Sequence, residues 1–223
     1  MTTGIIVQAR IGSSRIEKKM MQNLKGYPII YWVYYRLLKV KKADLIVYAL
    51  PDNSNNDELS SYLKGLGANI YRGNENNVLE RYYGALRHFN INTMVRVCAD
   101  NPLVSSYEVD RLISFFNKNE CDYAFNHVPR NNNYPDGLGA EICSFNLIEN
   151  MMHEPLNESH KEHIFNFIWD KQSRYKIRTF DSGYSLEAEK IKLDIDTIDD
   201  LCHLESLPIS LDISPVEIIN LFK

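Results

Sequence analysis

Cysteine pairs, long apolar runs and breaks rich in proline or glycine are all missing from this sequence of 223 residues. Its four cysteines are widely scattered and form no CxxC pair, which favours reduced core thiols over disulfides or zinc ligands. The longest apolar run, residues 28–35, is far too short to span a bilayer. Residues 1–7 have neither the charged start nor the long apolar centre of a signal peptide. We therefore expect a cytoplasmic protein that does not enter a membrane.

The hydrophobic content is high enough for a substantial core. Hydrophobic residues make up 44% of the chain, and a chain of this length can bury them in one unit. We expect a single domain over residues 1–223, with residues 126–185 as an excursion from it.

Positive charge is concentrated near the start of the sequence. Residues 1–42 contain nine Lys or Arg and one acid, Glu17, whereas the remainder contains 16 bases and 28 acids. A nucleic-acid polymer needs a wider basic surface and a higher pI, so a compact polyanion such as a nucleotide suits this patch better. We assign Lys39, Lys41 and Lys42 to the solvated C-terminal end of a helix.

Segments typical of strands and helices alternate along the chain. Strands are predicted at residues 4–7, 45–50, 69–71, 93–97, 122–125, 140–145, 175–180 and 191–195. Helices are predicted at residues 28–39, 54–65, 78–89, 105–118 and 159–171, with a last helix capped by Thr197 and Asp200. This order predicts an α/β, doubly wound and mainly parallel sheet with helices on both faces.

A basic loop follows the first predicted strand. Gly12, Ser13 and Ser14 form a flexible turn with many hydrogen-bond donors, and two arginines and two lysines surround it (Arg10, Arg15, Lys18 and Lys19). Such a loop can bind a triphosphate through backbone N–H groups and charge neutralisation. The residue types fit a solvated basic loop equally well.

Two aspartates directly follow apolar strands. Asp100 and Asp196 each stand where a carboxylate reaches the ligand-binding edge of a parallel sheet, and two carboxylates can hold Mg²⁺ against a phosphate. The alternative is that each aspartate only caps a helix or a turn. We rank Asp194 below Asp196 as a metal ligand.

Several polar residues remain open to more than one interpretation. Residues 134–137, with the sequence YPDG, are typical of a turn. Glu162 and His163 suit either a substrate hydroxyl or phosphate, or a structural role on a helix. For Arg96, Arg130, Lys176 and Arg178, the sequence favours surface charges over an acceptor-binding role.

Taken together, these motifs resemble those of a known family. Residues 9–19, ARIGSSRIEKK, resemble the ARxxSTRLPGK loop of cytidylyltransferases that activate acidic sugars, such as 3-deoxy-manno-octulosonate and acylneuraminate cytidylyltransferases. The opening QAR is especially like the spore coat polysaccharide biosynthesis branch. The other matching motifs are RG at 72–73, VLERYY at 78–83, RVCADNPL at 96–103, YPDG at 134–137, EH at 162–163 and DIDTIDDL at 194–201.

The resemblance implies a nucleotidyltransferase fold, a Mg²⁺-dependent reaction with CTP, a small anionic acceptor and a homodimer formed through part of residues 130–185. The implied CTP-binding residues are Gln8, Ala9, Arg10, Gly12, Ser13, Ser14, Lys19, Arg81 and Ala99. The implied acceptor-binding residues are Arg96, Tyr134, Asp136, Gly137, Glu162 and His163. Asp100 and Asp196 would bind the metal. Glu17 and Lys18 replace the family's Pro-Gly, which places a carboxylate near the expected triphosphate.

Charge neutralisation points to Arg10, Arg15 and Lys19 as the catalytic groups for transfer of CMP to an acceptor oxygen with release of pyrophosphate. Two other functions fit the same residues. A glycosyltransferase would use Asp194 and Asp196 as a DxD motif, and a noncatalytic protein would bind a nucleotide without turnover.

Overall fold

A computed structural model describes residues 1–12 and 15–222 of the chain. Its strands are β1 (Thr3–Gln8), β2 (Asn23–Leu24), β3 (Tyr27–Pro28), β4 (Leu45–Pro51), β5 (Asn69–Gly73), β6 (Thr93–Cys98), β7 (Tyr123–Phe125), β8 (Glu141–Ser144) and β9 (Ile177–Arg178). Its α-helices are α1 (Ile29–Leu37), α2 (Asp57–Gly65), α3 (Val78–His88), α4 (Ser106–Lys118), α5 (Phe145–Met151), α6 (Glu158–Glu162), α7 (Asn166–Asp170), α8 (Ile198–Ser206) and α9 (Pro215–Asn220).

Seven of these strands form one sheet in the order β5-β4-β1-β6-β8-β7-β9. The four strands from β5 to β6 are parallel to one another, which is the arrangement that strand–helix–strand connections produce. Strand β8 runs antiparallel to both of its neighbours, β6 and β7. The predicted α/β, doubly wound and mainly parallel fold is therefore confirmed.

The central strand β1 has apolar side chains on both faces. Ile5 and Val7 belong to a core with α1, α2 and α4, whereas Ile6 belongs to a second core with α3 and α5. Because successive side chains of a strand point to opposite faces, this division requires a layer of helices on each side. The near-continuous apolar run of β1 is explained by burial on both faces.

The predicted helix at residues 159–171 is interrupted. It forms two short helices, α6 and α7, with His163 between them in a non-helical conformation (φ −112°, ψ 78°). The predicted strand at 140–145 ends at Ser144, whose side chain caps the additional helix α5. Ser54 does not cap α2, which begins at Asp57 after a short 3₁₀ turn.

The strand predicted at residues 191–195 is wrong. The apolar residues of this segment are buried in alternation, as predicted, but they pair with loops instead of a strand. Leu193 donates its N–H to Asp136 O at 3.0 Å, and Ile195 donates to Asp100 O at 2.9 Å. The segment therefore crosses the C-terminal edge of the sheet and carries Asp196 to that edge.

Helix α8 begins as predicted, with Thr197 and Asp200 forming a capping box. The four cysteines are free thiols, in agreement with the sequence. Within residues 1–12 and 15–222, the helices are too short or too polar to cross a bilayer.

Candidate active site

A cavity of about 380 Å³ opens at the C-terminal ends of the central strands β1 and β6. The two strands lie side by side here, since Ala99 donates its N–H to Gln8 O at 3.2 Å. The lining residues are Gln8, Ala9, Arg10, Gly12, Arg15, Lys19, Met20, Arg96, Cys98, Ala99, Asp100, Glu162, His163 and Asp196. The loop, the two aspartates and the Glu162–His163 pair predicted from sequence thus meet at one cavity.

The basic loop has a defined conformation on both sides of residues 13–14. Before them, Ile11 donates its N–H to the side chain of the buried Asn56 at 2.8 Å. After them, Lys18 adopts a left-handed conformation (φ 46°, ψ 44°), and the next residue, Lys19, begins a short 3₁₀ helix. Glu17 is exposed and lies outside the cavity lining. The expectation that Glu17 places a carboxylate beside the triphosphate is therefore not supported by the loop geometry.

Lys19 lies between the two predicted metal ligands. Its side chain is only 10% exposed, and its ammonium donates to Asp100 Oδ2 at 2.9 Å and to Ile195 O at 2.7 Å. Asp196 Oδ1 lies 3.8 Å from the same nitrogen. The buried lysine therefore joins the loop to both carboxylates.

The two arginines of the loop also contact carboxylates. Arg15 Nη2 lies 2.8 Å from Asp196 Oδ1, and Arg10 Nη2 lies 3.2 Å from Glu162 Oε1. Both pairs are partly exposed, so solvent screens their attraction. The Arg10–Glu162 contact links the loop to the end of α6 across the cavity mouth.

A buried polar network forms the floor of the cavity. The Arg96 guanidinium contacts the Glu141 carboxylate through Nη1, and its Nε donates to the Tyr82 hydroxyl at 3.1 Å. That hydroxyl donates to Gln8 Oε1 at 3.3 Å. On the other side, the Tyr123 hydroxyl donates to Glu141 Oε1 at 2.6 Å. Arg96 is therefore a floor residue, and the surface position that the sequence favoured for it is wrong.

Burial opposes ionisation of Glu141, but Arg96, His127 and Tyr123 outweigh it and hold the pKa of this carboxyl below its ordinary value. Burial lowers the pKa of His127, whose Nε2 lies 3.7 Å from Glu141 Oε2. The floor therefore contains a buried Arg–Glu ion pair beside the His127 imidazole.

Two further aspartates lie next to the cavity. Burial, with the neighbouring carboxylate of Asp194, raises the pKa of Asp136 to about 6. Burial also raises the pKa of Asp194, whose Oδ1 has no hydrogen-bond partner among the described residues. Lys192 lies 3.5 Å from Asp194 Oδ2. These carboxylates add negative charge behind Asp100 and Asp196.

Not every predicted site residue reaches the cavity. Arg81 is buried and donates to the backbone carbonyls of Asn74 and Glu75. Tyr134 is buried and its hydroxyl contacts Glu108, while Gly137 takes a positive φ of 85° in its turn. Together with Asp136, these residues lie outside the cavity lining. Ser13 and Ser14 lie outside the described residues.

The remaining candidates for acceptor binding lie away from the cavity. Arg130 stacks over the Trp169 ring at 4.2 Å, and Lys176 pairs with Glu120. Arg178 is exposed. The assignment of Arg130, Lys176 and Arg178 to the surface agrees with the structure, since all three are exposed.

The carboxylates at the cavity suit a hard divalent cation that also binds the phosphate oxygens of a substrate. Among the described residues, no group of three or more His, Cys, Asp or Glu side chains is arranged as a metal site. Mg²⁺, however, is commonly bound by one or two carboxylates and completed by phosphate oxygens and water. Asp100 and Asp196, both within 4 Å of the Lys19 ammonium, supply carboxylates of this kind.

Sequence reasoning missed Glu141 and Asn56. Glu141 was detectable as the one acid in the apolar stretch at residues 138–144, because a carboxylate inside a buried strand needs a partner. Its register with Arg96 on β6 provides that partner. Asn56 has no comparable signal, since asparagine is common in the turns that precede helices.

Comparison with known proteins gives a consistent result. A family model described as "Cytidylyltransferase" matches residues 4–215. An uncharacterized protein of Methanocaldococcus jannaschii is 31% identical over 87% of this chain and 78% of its own length. The spore coat polysaccharide biosynthesis protein SpsF of Bacillus subtilis is 25% identical over 91% of this chain and 84% of its own.

Solved structures share the fold. A cytidylyltransferase from Leptospira borgpetersenii superposes with a TM-score of 0.92 at 26% identity, covering 100% of this chain and 94% of that one. A CMP:2-keto-3-deoxy-manno-octonic acid synthetase complexed with CTP superposes with a TM-score of 0.71 at 15% identity, covering 92% and 98%.

Proposed function

Because this chain belongs to the cytidylyltransferase family, we propose that it transfers CMP from CTP to an acceptor oxygen and releases pyrophosphate, in a Mg²⁺-dependent reaction. The acceptor is an acidic sugar, a polyol phosphate or a phosphonate. The SpsF relative supports a place in surface polysaccharide or glycoconjugate biosynthesis. The four free thiols suit a cytoplasmic setting.

The observation that carries this proposal is the position of Lys19. Its ammonium contacts Asp100 at 2.9 Å and lies 3.8 Å from Asp196, in a cavity that Arg10 and Arg15 also line. Loop cations and two carboxylates therefore converge on one volume at the C-terminal edge of the sheet. This combination suits a triphosphate, whose charge needs both protein cations and a metal.

In the proposed mechanism, the residues of the loop bind and orient the triphosphate. Gln8, Ala9, Gly12 and Ala99 line the nucleotide side of the cavity, and Ser13 and Ser14 belong to the same loop in sequence. Arg10, Arg15 and Lys19 neutralise the charge on the phosphate oxygens as the acceptor oxygen attacks the α-phosphorus in line and pyrophosphate leaves. Mg²⁺ held by Asp100 and Asp196 would supply further charge neutralisation.

The acceptor would enter beside Arg96, Glu162 and His163. Arg96 is fixed by Glu141 and Tyr82 at the floor, so it can orient an acceptor group without rearranging. Glu162 and His163 face the cavity from the end of α6. We place Asp136 and Gly137 behind the acceptor, where their turn packs against the segment that carries Asp196.

The competing functions find less support. A DxD glycosyltransferase needs both Asp194 and Asp196 at one ligand, but of these two only Asp196 lines the cavity. A noncatalytic nucleotide-binding protein differs from the proposed enzyme in one measurable respect, because it would bind CTP without releasing pyrophosphate.

The test is pyrophosphate release from CTP and Mg²⁺ with a panel of sugar acids, polyol phosphates and phosphonates. We expect release that depends on one acceptor class and falls by roughly 100-fold or more in Lys19→Ala and Asp100→Ala. Binding of CTP without acceptor-dependent release would instead identify a noncatalytic binder. Unchanged Mg²⁺-dependent release in both Asp100→Ala and Asp196→Ala would refute the proposed metal site.

A further inference from the structure

Each described cation that lines the cavity contacts a carboxylate. The pairs are Arg10 with Glu162, Arg15 with Asp196, Lys19 with Asp100 and Arg96 with Glu141. A polyanion that binds here must compete with these carboxylates for the cations. Asp100 and Asp196 differ from Glu162 and Glu141 because both lie within 4 Å of the same Lys19 nitrogen, so one divalent cation could engage the two together.

Carboxylates surround the Lys19 ammonium that a phosphate would need. An ammonium has three N–H donors. Lys19 donates to Ile195 O at 2.7 Å and to Asp100 Oδ2 at 2.9 Å, and Asp196 Oδ1 lies 3.8 Å away, close enough for electrostatic attraction but not for a hydrogen bond. The side chain is only 10% exposed, so water replaces these partners poorly. Both carboxylates therefore compete with a phosphate for the Lys19 ammonium, and this competition falls when either carboxylate is engaged elsewhere.

Resting on the proposed function, we infer that Asp100 and Asp196 act as a metal-controlled gate on the phosphate-binding cations. Without a divalent cation, the two carboxylates hold Lys19 and Arg15 and oppose CTP binding. When the carboxylates bind a divalent cation, they release both side chains to the triphosphate. By linkage, metal and CTP then each increase the affinity of the other by the same factor.

If the gate exists, one substitution should change the CTP affinity in opposite directions in EDTA and in Mg²⁺. Simple loss of a metal ligand would weaken binding in Mg²⁺ without strengthening it in EDTA. Asp→Asn keeps the size of the side chain but removes the charge that holds Lys19 or Arg15. In EDTA, removal of the competing carboxylate should strengthen CTP binding. In Mg²⁺, the same substitution removes a metal ligand and should weaken binding.

The experiment measures the dissociation constant of CTP by calorimetry for the wild type, Asp100→Asn and Asp196→Asn, in EDTA and in saturating Mg²⁺. In EDTA we expect Asp100→Asn to bind CTP about tenfold more tightly than the wild type, because competition for the buried Lys19 is relieved. Asp196→Asn should also bind more tightly but by a smaller factor, because its partner Arg15 is exposed and solvent screens that pair. In Mg²⁺ we expect binding on the order of 10- to 100-fold weaker than in the wild type.

Glu58→Gln is the matched control. Lys18 belongs to the same basic loop as Arg15 and Lys19, and its Nζ pairs with Glu58 Oε2 of helix α2 at 2.6 Å. Neither Lys18 nor Glu58 lines the cavity. This variant should change the CTP affinity in EDTA and in Mg²⁺ by the same small factor. Thermal unfolding of each variant verifies that the fold is retained.

The outcomes separate this inference from the proposed function. If the wild type binds no CTP in Mg²⁺, the proposed function itself fails. A different result refutes the gate alone. In that case the wild type binds CTP in Mg²⁺, but in EDTA both Asn variants bind CTP more weakly than the wild type, which means that the two carboxylates do not restrain the cations. Equal affinity of the variants and the wild type in EDTA refutes it too.

Discussion

At the scale of single residues, the Arg96–Glu141 pair is the main feature that sequence reasoning did not predict. Arg96 is 14% exposed and Glu141 is 5% exposed, so little water reaches either charge. The two residues are 45 positions apart and meet only because β8 pairs with β6. The pairing register of β6 and β8 cannot be deduced from one sequence. For this reason Arg96 was assigned to the surface.

Glu141→Gln should destabilise the protein strongly. It leaves the Arg96 guanidinium buried without its counter-charge, and breaking a buried pair in this way costs about 3–5 kcal/mol of unfolding free energy. Urea denaturation measures the change. Glu187→Gln is the control, because Glu187 and Lys190 are about 70% exposed and an exposed pair contributes about 0–1 kcal/mol. Equal losses of unfolding free energy in both variants would show that burial does not make the Arg96–Glu141 pair more important for stability than an exposed pair.

Asp136→Asn should stabilise the protein at neutral pH. Because the pKa of Asp136 is raised to about 6 in the folded state, the unfolded chain loses this proton first, and the wild type loses stability as the pH rises from about 4 to 6. The side chain is partly exposed, so we expect a gain of about 1 kcal/mol near pH 7.5 and almost none near pH 4.

Urea denaturation in EDTA at both pH values measures this difference between Asp136→Asn and the wild type. A gain that is the same at both pH values would contradict the raised pKa as its cause.

At the scale of elements, the sequence predicted most helices and strands because their apolar periodicity agrees with their burial. The segment at 191–195 shows the limit of that method. Its alternating burial is real, but it results from packing across loop backbones instead of strand pairing. Periodicity reports which side chains are buried, and it carries no information about the hydrogen-bond partner of the backbone.

The turn between β7 and β8 depends on a close approach at Gly139. A Cβ there would lie 2.2 Å from both Asn126 O and Asn126 Oδ1. Asn126 is fixed by its bonds to Glu108 O and to the N–H of Ala140. Gly139→Ala should therefore cost about 2–3 kcal/mol of unfolding free energy, because the obstacle includes backbone that cannot move aside.

Gly84→Ala is the matched control for this prediction. Its Cβ would meet the hydroxyl of Tyr71 at 2.1 Å, which is the far end of a movable side chain. Gly84 also lies inside helix α3, where alanine gains about 1 kcal/mol of helix propensity. Thermal unfolding should rank Gly139→Ala well below Gly84→Ala, and the opposite ranking would contradict this account of the turn.

At the scale of the whole molecule, the topology predicted the location of the site better than any single motif did. Loops that follow parallel strands gather at one edge of the sheet, and this rule alone brought the basic loop and Asp100 together. The rule does not specify how their charges pair. That pairing depends on side-chain geometry that only the folded structure contains.

The association of two chains stays a prediction. We propose a homodimer formed through part of residues 130–185, and light scattering should then give twice the chain mass of 25.9 kDa. A mass of one chain across a dilution series would contradict this proposal.

The long separation in sequence between Lys19 and its partners has a consequence for biosynthesis. Asp100 and Ile195 follow Lys19 by 81 and 176 residues. At roughly 5–20 residues per second, the ribosome adds the second partner on the order of ten seconds or more after the lysine. The nascent chain therefore carries its basic loop without Ile195 during this time, and the loop cannot reach its final geometry until a segment 176 residues further along has been made.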